Sequence, residues 1–249
     1  ESSGVRAIKR VLPKLENLKE KLNGRVYLLA GNTRALQKGI RFIDADLNRH
    51  WTRDNIKNNR PESKIFTNHA EDHEQTELLE ILENILKTAK AEVFAMDLHS
   101  TSAGGVPFAT VGDTLRNRSF AQKFPVTILL GIEEQLEGTI LEFLNNRGVV
   151  TFGYEVGQHY AESTVDNHEA LIWLGLINAG ILSKDDFAEF EKHFEILREA
   201  TGRPCVVEIR YRHAITETDE FKMELGFENF QPVKRGAFLA EQKSGAVYA

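Results

Sequence analysis

The chain has 249 residues, of which 41% are hydrophobic and 27% charged, an ordinary composition for one large globular domain, with or without a small appendage. Its net charge of −6 argues against a general nucleic-acid binder, because no basic excess is present to neutralise phosphates. The single cysteine, Cys205, excludes an internal disulfide and a thiolate metal cluster, and it fits a reducing, cytoplasmic compartment. No apolar run approaches the length of a membrane span, so we expect no membrane partner.

Helical and extended patterns alternate along most of the chain. Apolar residues at helical spacing predict helices over residues 4–22, 74–90, 116–124, 138–146, 165–179 and 184–200. Short apolar runs predict strands over residues 26–30, 93–98, 107–111, 126–130 and 149–156. Pro13 interrupts the first helix and is expected to kink or split it. The alternation predicts an α/β domain whose central sheet is mostly parallel or mixed, with helices on both faces.

The pattern changes near residue 202. Residues 205–215 alternate like a half-exposed strand, and residues 233–240 resemble a small β hairpin unit. We therefore expect a catalytic domain over residues 1–202 and a small β subdomain over residues 203–249. The sequence leaves open whether that subdomain is complete, whether a segment precedes Glu1, and whether the protein is a homo-oligomer.

Three polar segments follow or interrupt these apolar runs. Residues 91–105 read AEVFAMDLHSTSAGG, and His99 at the polar end of this strand suits a metal ligand, a general base or a residue satisfied by a loop hydrogen bond. Residues 41–51 read RFIDADLNRHW and combine arginines, an asparagine and acids between anchoring apolar residues. Glu155 ends another apolar strand, where a carboxylate needs hydration, an ionic partner such as Arg147, or a chemical role.

Together these segments resemble the succinylglutamate desuccinylase/aspartoacylase family, which is related to the zinc carboxypeptidases. The resemblance lies in HSTS after an apolar strand, in DADLNR and in EVGQH, and it spans roughly residues 1 to 170. In that family a His-x-x-Glu motif and a later histidine hold one zinc ion. By resemblance, Glu1 and His99 would be zinc ligands, and the partner histidine would lie three residues before Glu1.

The resemblance also implies roles for other residues. Arg41, Asn48 and Arg49 would hold the carboxylate of a small-molecule substrate, which suits the planar fork of a guanidinium. Glu155 would be the general base. Beside the resemblance, Asp46 and Asp97 are candidates for orienting a ligand or an arginine, and stabilisation of their own loops is the alternative for each.

The sequence therefore predicts a zinc-dependent hydrolase that cleaves an amide, with an ester as the alternative, in an N-acyl amino acid or similar carboxylate. Two other interpretations stay open: a metallocarboxypeptidase acting on peptides, and a non-catalytic relative that binds a carboxylate. Arg147 and Tyr160 are candidates for recognising a second acid group of the substrate.

Overall fold

The computed structural model describes residues 2–58, 69–102 and 104–249. In this part of the chain the α-helices are α1 (Ser2–Asn17), α2 (Thr33–Lys38), α3 (Arg53–Asn58), α4 (Ala70–Thr88), α5 (Leu115–Ala121), α6 (Ile140–Asn145), α7 (Glu162–Asn178) and α8 (Phe190–Thr201). The strands are β1 (Phe94–Thr101), β2 (Phe108–Thr110), β3 (Thr127–Leu130), β4 (Val150–Gln158), β5 (Val206–Glu208), β6 (Lys222–Met223), β7 (Phe238–Gln242) and β8 (Gly245–Tyr248). None of these helices is long and apolar enough to cross a membrane.

The central sheet has five strands in the order β1-β4-β2-β3-β5. The β1–β4, β2–β3 and β3–β5 pairs are parallel, and β2 runs antiparallel to β4. A separate antiparallel sheet of β6, β7 and β8 follows towards the C-terminus. The predicted α/β class with a mostly parallel sheet and a small additional β unit is confirmed.

Helices cover both faces of the central sheet because its strands carry apolar side chains on both faces. On one face, Phe94, Phe152 and Tyr154 pack in a cluster with residues of α5, α7 and α8. On the opposite face, Ala95 packs with apolar residues of α4 and α6. Helices therefore cover β1 and β4 on both faces, which fits the apolar runs that begin these strands in sequence.

Most predicted elements match the structure to within a few residues. The α-helix predicted over residues 184–200 begins only at Phe190, and the other exceptions lie early in the chain. Helix α1 continues through Pro13 to Asn17, and a short 3-10 helix then spans Lys19–Lys21, so Pro13 does not split the helix. The predicted strand over residues 26–30 is wrong, because this segment joins neither sheet. A cavity of about 700 Å³ is lined by residues of this segment on one side and of β1, the edge strand, on the other. Without direct contact between the two backbones, no ladder of hydrogen bonds forms.

The C-terminal region also differs from its sequence pattern. Within residues 205–215 only β5 is a strand, and it pairs with β3 in the central sheet. The hairpin expected at residues 233–240 lies further along, where β7 pairs with β8. The boundary near residue 202 stays a prediction.

Candidate active site

Strand register places the candidate side chains on one face of the central sheet. His99 of β1 is the register partner of Glu155 of β4, and Asp97 is the partner of Gly153. Across the other edge of β4, Phe108 and Thr110 of β2 pair with Glu155 and Gly153 respectively. Since side chains of paired residues point to the same side of a sheet, all six positions form one continuous floor. This is the face that α4 and α6 cover elsewhere.

A pocket of about 140 Å³ lies over this floor. One wall is the segment that carries Arg41, Asn48 and Arg49, and the other is the segment from Ile132 to Leu141. Segments remote in sequence thus bring two guanidinium groups, an imidazole and several carboxylates to one small space. The predicted catalytic and substrate-binding residues and the predicted ligand His99 all line it.

The clamp residues, Arg41, Asn48 and Arg49, are held by local contacts. The guanidinium of Arg41 donates from Nε and Nη2 to Oδ2 of Asp46, at 3.1 and 3.0 Å. Oδ1 of the same carboxylate accepts the backbone N–H of Asn48 at 3.0 Å and begins the 3-10 helix Leu47–Arg49. Asp46 therefore fixes the positions of two clamp residues relative to each other, as expected for a residue that orients an arginine.

Asn48 connects this wall to the floor of the pocket. Its Oδ1 accepts the backbone N–H of Ile140 at 3.0 Å, which directs its Nδ2 towards His99. Nδ2 of Asn48 lies 3.3 Å from Nε2 of His99, whereas Oδ2 of Asp97 lies 2.7 Å from the same nitrogen. The shorter contact to a carboxylate favours the tautomer in which Nε2–H of His99 donates to Asp97.

Backbone contacts also fix His99. Its carbonyl oxygen lies 3.1 Å from Nε2 of His168, a fully buried residue of α7. The neighbouring Ser100 contacts Nδ1 of His159 through its hydroxyl at 2.9 Å. Together with the pairing to β4, these contacts anchor the backbone at the end of β1, from which the His99 side chain extends.

Glu133 is a pocket residue that the sequence patterns did not identify. It begins a short 3-10 helix, Glu133–Gln135, after β3. Burial raises the pKa of its carboxyl group; the Thr110 hydroxyl opposes this change, and the nearby charges of Asp97 and Glu134 add to it. Its Oε2 is buried and has no hydrogen-bond partner in the described part of the chain. The sequence signal that could have identified Glu133 was a pair of acids just after an apolar strand, as in VTILLGIEE.

Gly153 keeps the floor of the pocket open. A Cβ atom built at this position would lie 2.3 Å from Oγ1 of Thr110 and 3.0 Å from Cδ1 of Leu141. Both neighbours line the pocket. Any side chain at position 153 would therefore have to displace pocket residues, so the site depends on the glycine for its shape.

The larger cavity at the edge of β1 reaches the same residues at one end. Arg41, Asn48, Asp97 and His99 line both cavities, while the rest of the larger one is bounded mainly by apolar side chains of α1, α4, α6 and α7. Chemistry on a polar substrate needs the groups of the smaller pocket, which also contains Glu133 and Glu155.

The described residues alone do not make up a metal site. Among them, no group of three or more His, Cys, Asp or Glu side chains is arranged to hold a metal ion. The predicted ligand Glu1 lies outside the described residues. His99 is a suitable single donor, because a carboxylate on one ring nitrogen is the usual partner of a histidine that binds metal through the other.

Two further candidates lie away from the pocket. Arg147 donates to the carbonyl of Phe143 at 3.2 Å and stacks on that ring, and Tyr160 is 82% exposed. Neither residue lines the pocket. Their role in recognising a second acid group stays a prediction, and Arg147 contacts Phe143 rather than Glu155.

Comparison with known protein families assigns the chain to a family. Residues 1–172 match the family described as Succinylglutamate desuccinylase/Aspartoacylase catalytic domain. The chain belongs to this family. The match ends inside α7 and so includes all the pocket residues. Succinylglutamate desuccinylases and aspartoacylases are deacylating hydrolases, and the resemblance read from the sequence is confirmed.

Several solved structures share this fold. A succinylglutamate desuccinylase/aspartoacylase from Rhodobacter sphaeroides is 17% identical with a TM-score of 0.64, over 100% of this chain and 73% of that one. A succinylglutamate desuccinylase from Vibrio parahaemolyticus is 15% identical with a TM-score of 0.65, over 100% and 70% of the two chains. Murine aminoacylase 3 is 16% identical with a TM-score of 0.61, over 97% and 80%. A search of curated proteins found no match.

Proposed function

We propose that this member of the succinylglutamate desuccinylase/aspartoacylase family is a zinc-dependent deacylase that hydrolyses the amide bond of a small N-acyl amino acid. The observation that carries the proposal is the pocket that combines the Arg41 and Arg49 side chains with His99 and Glu155. A guanidinium pair suits the carboxylate of an amino acid, and a carboxylate beside it suits proton transfer to and from water.

Substrate binding is assigned to the clamp residues. A carboxylate can accept hydrogen bonds from both guanidinium groups, and the amide of Asn48 adds a neutral donor between them and His99. Because Asp46 already holds Arg41 with two hydrogen bonds, part of the ordering cost is met before the substrate arrives. The bound carboxylate then fixes the scissile amide over the floor of the pocket.

Proton transfer is assigned to Glu155. Its carboxylate removes a proton from the attacking water as the water oxygen bonds to the acyl carbon. When the C–N bond breaks, Glu155 returns that proton to the leaving nitrogen, so the products are a carboxylic acid and an amine. The pairing of Glu155 with His99 across the two strands keeps the proton acceptor next to the proposed metal ligand.

Zinc is proposed as the cofactor, with His99 and Glu1 as ligands and a third ligand expected before Glu1. When bound, zinc would polarise the scissile carbonyl and lower the pKa of water. In this assignment Asp97 orients the His99 ring through the 2.7 Å contact at Nε2, so metal would bind at Nδ1.

The test is a screen of N-acyl amino acids, beginning with N-succinyl-L-glutamate and N-acetyl amino acids, with the protein loaded with zinc and its zinc content measured. Release of the free amino acid, with about one zinc per chain, supports the proposal. A protein that binds carboxylates but takes up no zinc and releases no amine would be a non-catalytic relative. Preference for peptides over acyl amino acids would indicate a metallocarboxypeptidase instead.

A further inference from the structure

The first turns of α4 contain four polar residues that are almost completely buried. Glu71 and Gln75 are 0% exposed, Asp72 is 1% exposed and Glu74 is 2% exposed. Acids are rarely buried to this extent unless they are paired or hydrogen-bonded, because desolvating a charge is costly. Their partners therefore indicate what the helix holds in place.

Glu71 binds the backbone of the segment between Arg41 and Asn48. Its Oε1 accepts the N–H of Ile43 at 2.7 Å, and its Oε2 accepts those of Asp44 and Ala45 at 2.9 and 3.2 Å. Oε1 also accepts the side-chain amide of Asn32 at 2.9 Å. This carboxylate lies outside the turn and accepts hydrogen bonds from three successive backbone N–H groups, which makes the turn rigid.

Asp44 makes the reverse contact, from the turn to the start of α4. Its Oδ2 accepts the backbone N–H of Ala70, the first residue of α4, at 2.8 Å. This contact satisfies one of the N–H groups that a helix leaves unpaired at its start, and it places negative charge at the positive end of the helix. Helix and turn therefore stabilise each other through two carboxylates, one supplied by each.

Asp72 and Gln75 hold the other end of the same segment. Oδ1 of Asp72 lies 2.8 Å from Nε2 of His50, the residue that follows Arg49. The side-chain amide of Gln75 donates to the carbonyl of His50 at 2.6 Å. The stretch that carries Asn48 and Arg49 is thus fixed by α4 on both sides.

We infer that Glu71 and Asp72 are positioning residues for the carboxylate clamp: they act through the backbone at residues 43–45 and through His50 to aim Arg41, Asn48 and Arg49 into the pocket. Neither acid lines the pocket itself. The inference rests on the proposed function, because it takes the clamp residues to bind the substrate carboxylate.

The experiment measures binding of N-succinyl-L-glutamate by calorimetry, and its hydrolysis, for the wild-type protein and for Glu71→Gln and Asp72→Asn. The side-chain amide introduced by Glu71→Gln would oppose a backbone N–H with its own N–H, so the turn should shift. We expect KM and Kd to rise at least tenfold while kcat falls less than threefold, because Glu155 and His99 keep their places. Glu77→Gln is the matched control, since Glu77 lies on the same helix, is 61% exposed at its side chain and pairs with Arg34.

The outcomes separate the inference from the proposed function. If the wild-type protein neither binds nor hydrolyses any N-acyl amino acid, the proposed function is wrong. If the wild type binds the ligand and folded Glu71→Gln or Asp72→Asn binds it equally well, the positioning role is wrong. Should Glu71→Gln fail to fold, Asp72→Asn decides the question alone. In either variant, a fall in kcat as large as the fall in affinity would also overturn a role limited to the clamp.

Discussion

Glu155 lies directly opposite His99 in the register of the parallel strands β4 and β1. The pairing is a property of two backbones, so it fixes the Cα atoms of these residues side by side and directs both side chains to the same face of the sheet. It places a proton acceptor and an imidazole side by side although they are distant in sequence. The proposed division of roles between them can be tested at either residue.

Replacing Glu155 with glutamine should abolish most of the turnover while leaving substrate binding unchanged. The amide has nearly the same shape but cannot accept a proton, and general acid–base catalysis contributes about 10²–10⁴-fold to rate. We expect kcat for the best N-acyl amino acid to fall by about that factor, with Kd and zinc content within twofold of the wild-type values. Glu137→Gln, at an exposed position near the pocket wall, serves as the control. A wild-type rate for Glu155→Gln would exclude the residue as general base.

Replacing Arg49 with alanine should weaken binding of substrates that carry a carboxylate far more than binding of neutral analogues. A hydrogen bond to a charged group contributes about 1.5–3 kcal/mol, so we expect KM for the acid to rise by about 10–150-fold. The measurement compares the N-acyl amino acid with its carboxamide. Arg53→Ala, an exposed arginine at the start of α3, is the matched control. An equal effect on acid and carboxamide would mean that Arg49 does not bind the carboxylate.

The fold was largely predictable from local pattern, but one segment was not. β1 and β4 pack against helices on both faces, so their apolar runs were sufficient evidence for extended structure. The segment at residues 26–30 has the same kind of apolar run and yet forms no strand. A strand exists only where a second backbone lies at hydrogen-bonding distance, and that neighbour is a tertiary feature that a run of residues does not encode.

Several residues that line the candidate pocket could be predicted from the sequence, whereas the groups that hold them in place could not. Arg41, Asn48, Arg49, His99 and Glu155 stood out as polar groups after or between apolar runs, and the family resemblance implied their roles. Glu71 looks like an ordinary acid in the first turn of a helix, a position that the helix dipole favours in any exposed helix. Residues 43–45 and Asn32 approach and bury it, and those contacts depend on how distant segments dock.

Replacing Gly153 with alanine should damage the pocket and destabilise the fold together. The added methyl group would overlap Oγ1 of Thr110, 2.3 Å away, in the floor of the pocket. Overpacking of this kind costs about 1–3 kcal/mol, and the shift it forces moves side chains next to Glu155. The free energy of unfolding in urea and kcat/KM should both fall, whereas Gly104→Ala should change neither, since no atom of the described residues lies within 4 Å of a Cβ there. Full stability and activity in Gly153→Ala would show that the floor is looser than the structure indicates.

Glu71 should make the stability of the protein sensitive to acid in a defined range. Burial by itself would raise the pKa of Glu71, but the N–H of Ile43, the amide of Asn32 and the N–H groups of Asp44 and Ala45 lower it to about 2. A carboxyl group whose pKa is lower in the folded than in the unfolded chain stabilises the fold above the unfolded value, near 4.5. That stabilisation is lost as the pH falls from about 4.5 to about 2.

The expected size follows from the difference in pKa, at about 1.4 kcal/mol per unit, which gives about 3 kcal/mol for Glu71. Urea unfolding between about pH 6 and pH 2 should therefore show wild-type stability falling by about 3 kcal/mol more than that of Glu71→Gln, which has no proton to gain. Glu77→Gln should follow the wild-type curve, since the side chain of Glu77 is largely exposed. Parallel curves for wild type and Glu71→Gln would mean that the carboxylate is not held by the turn, and the positioning role assigned to it would lose its physical basis.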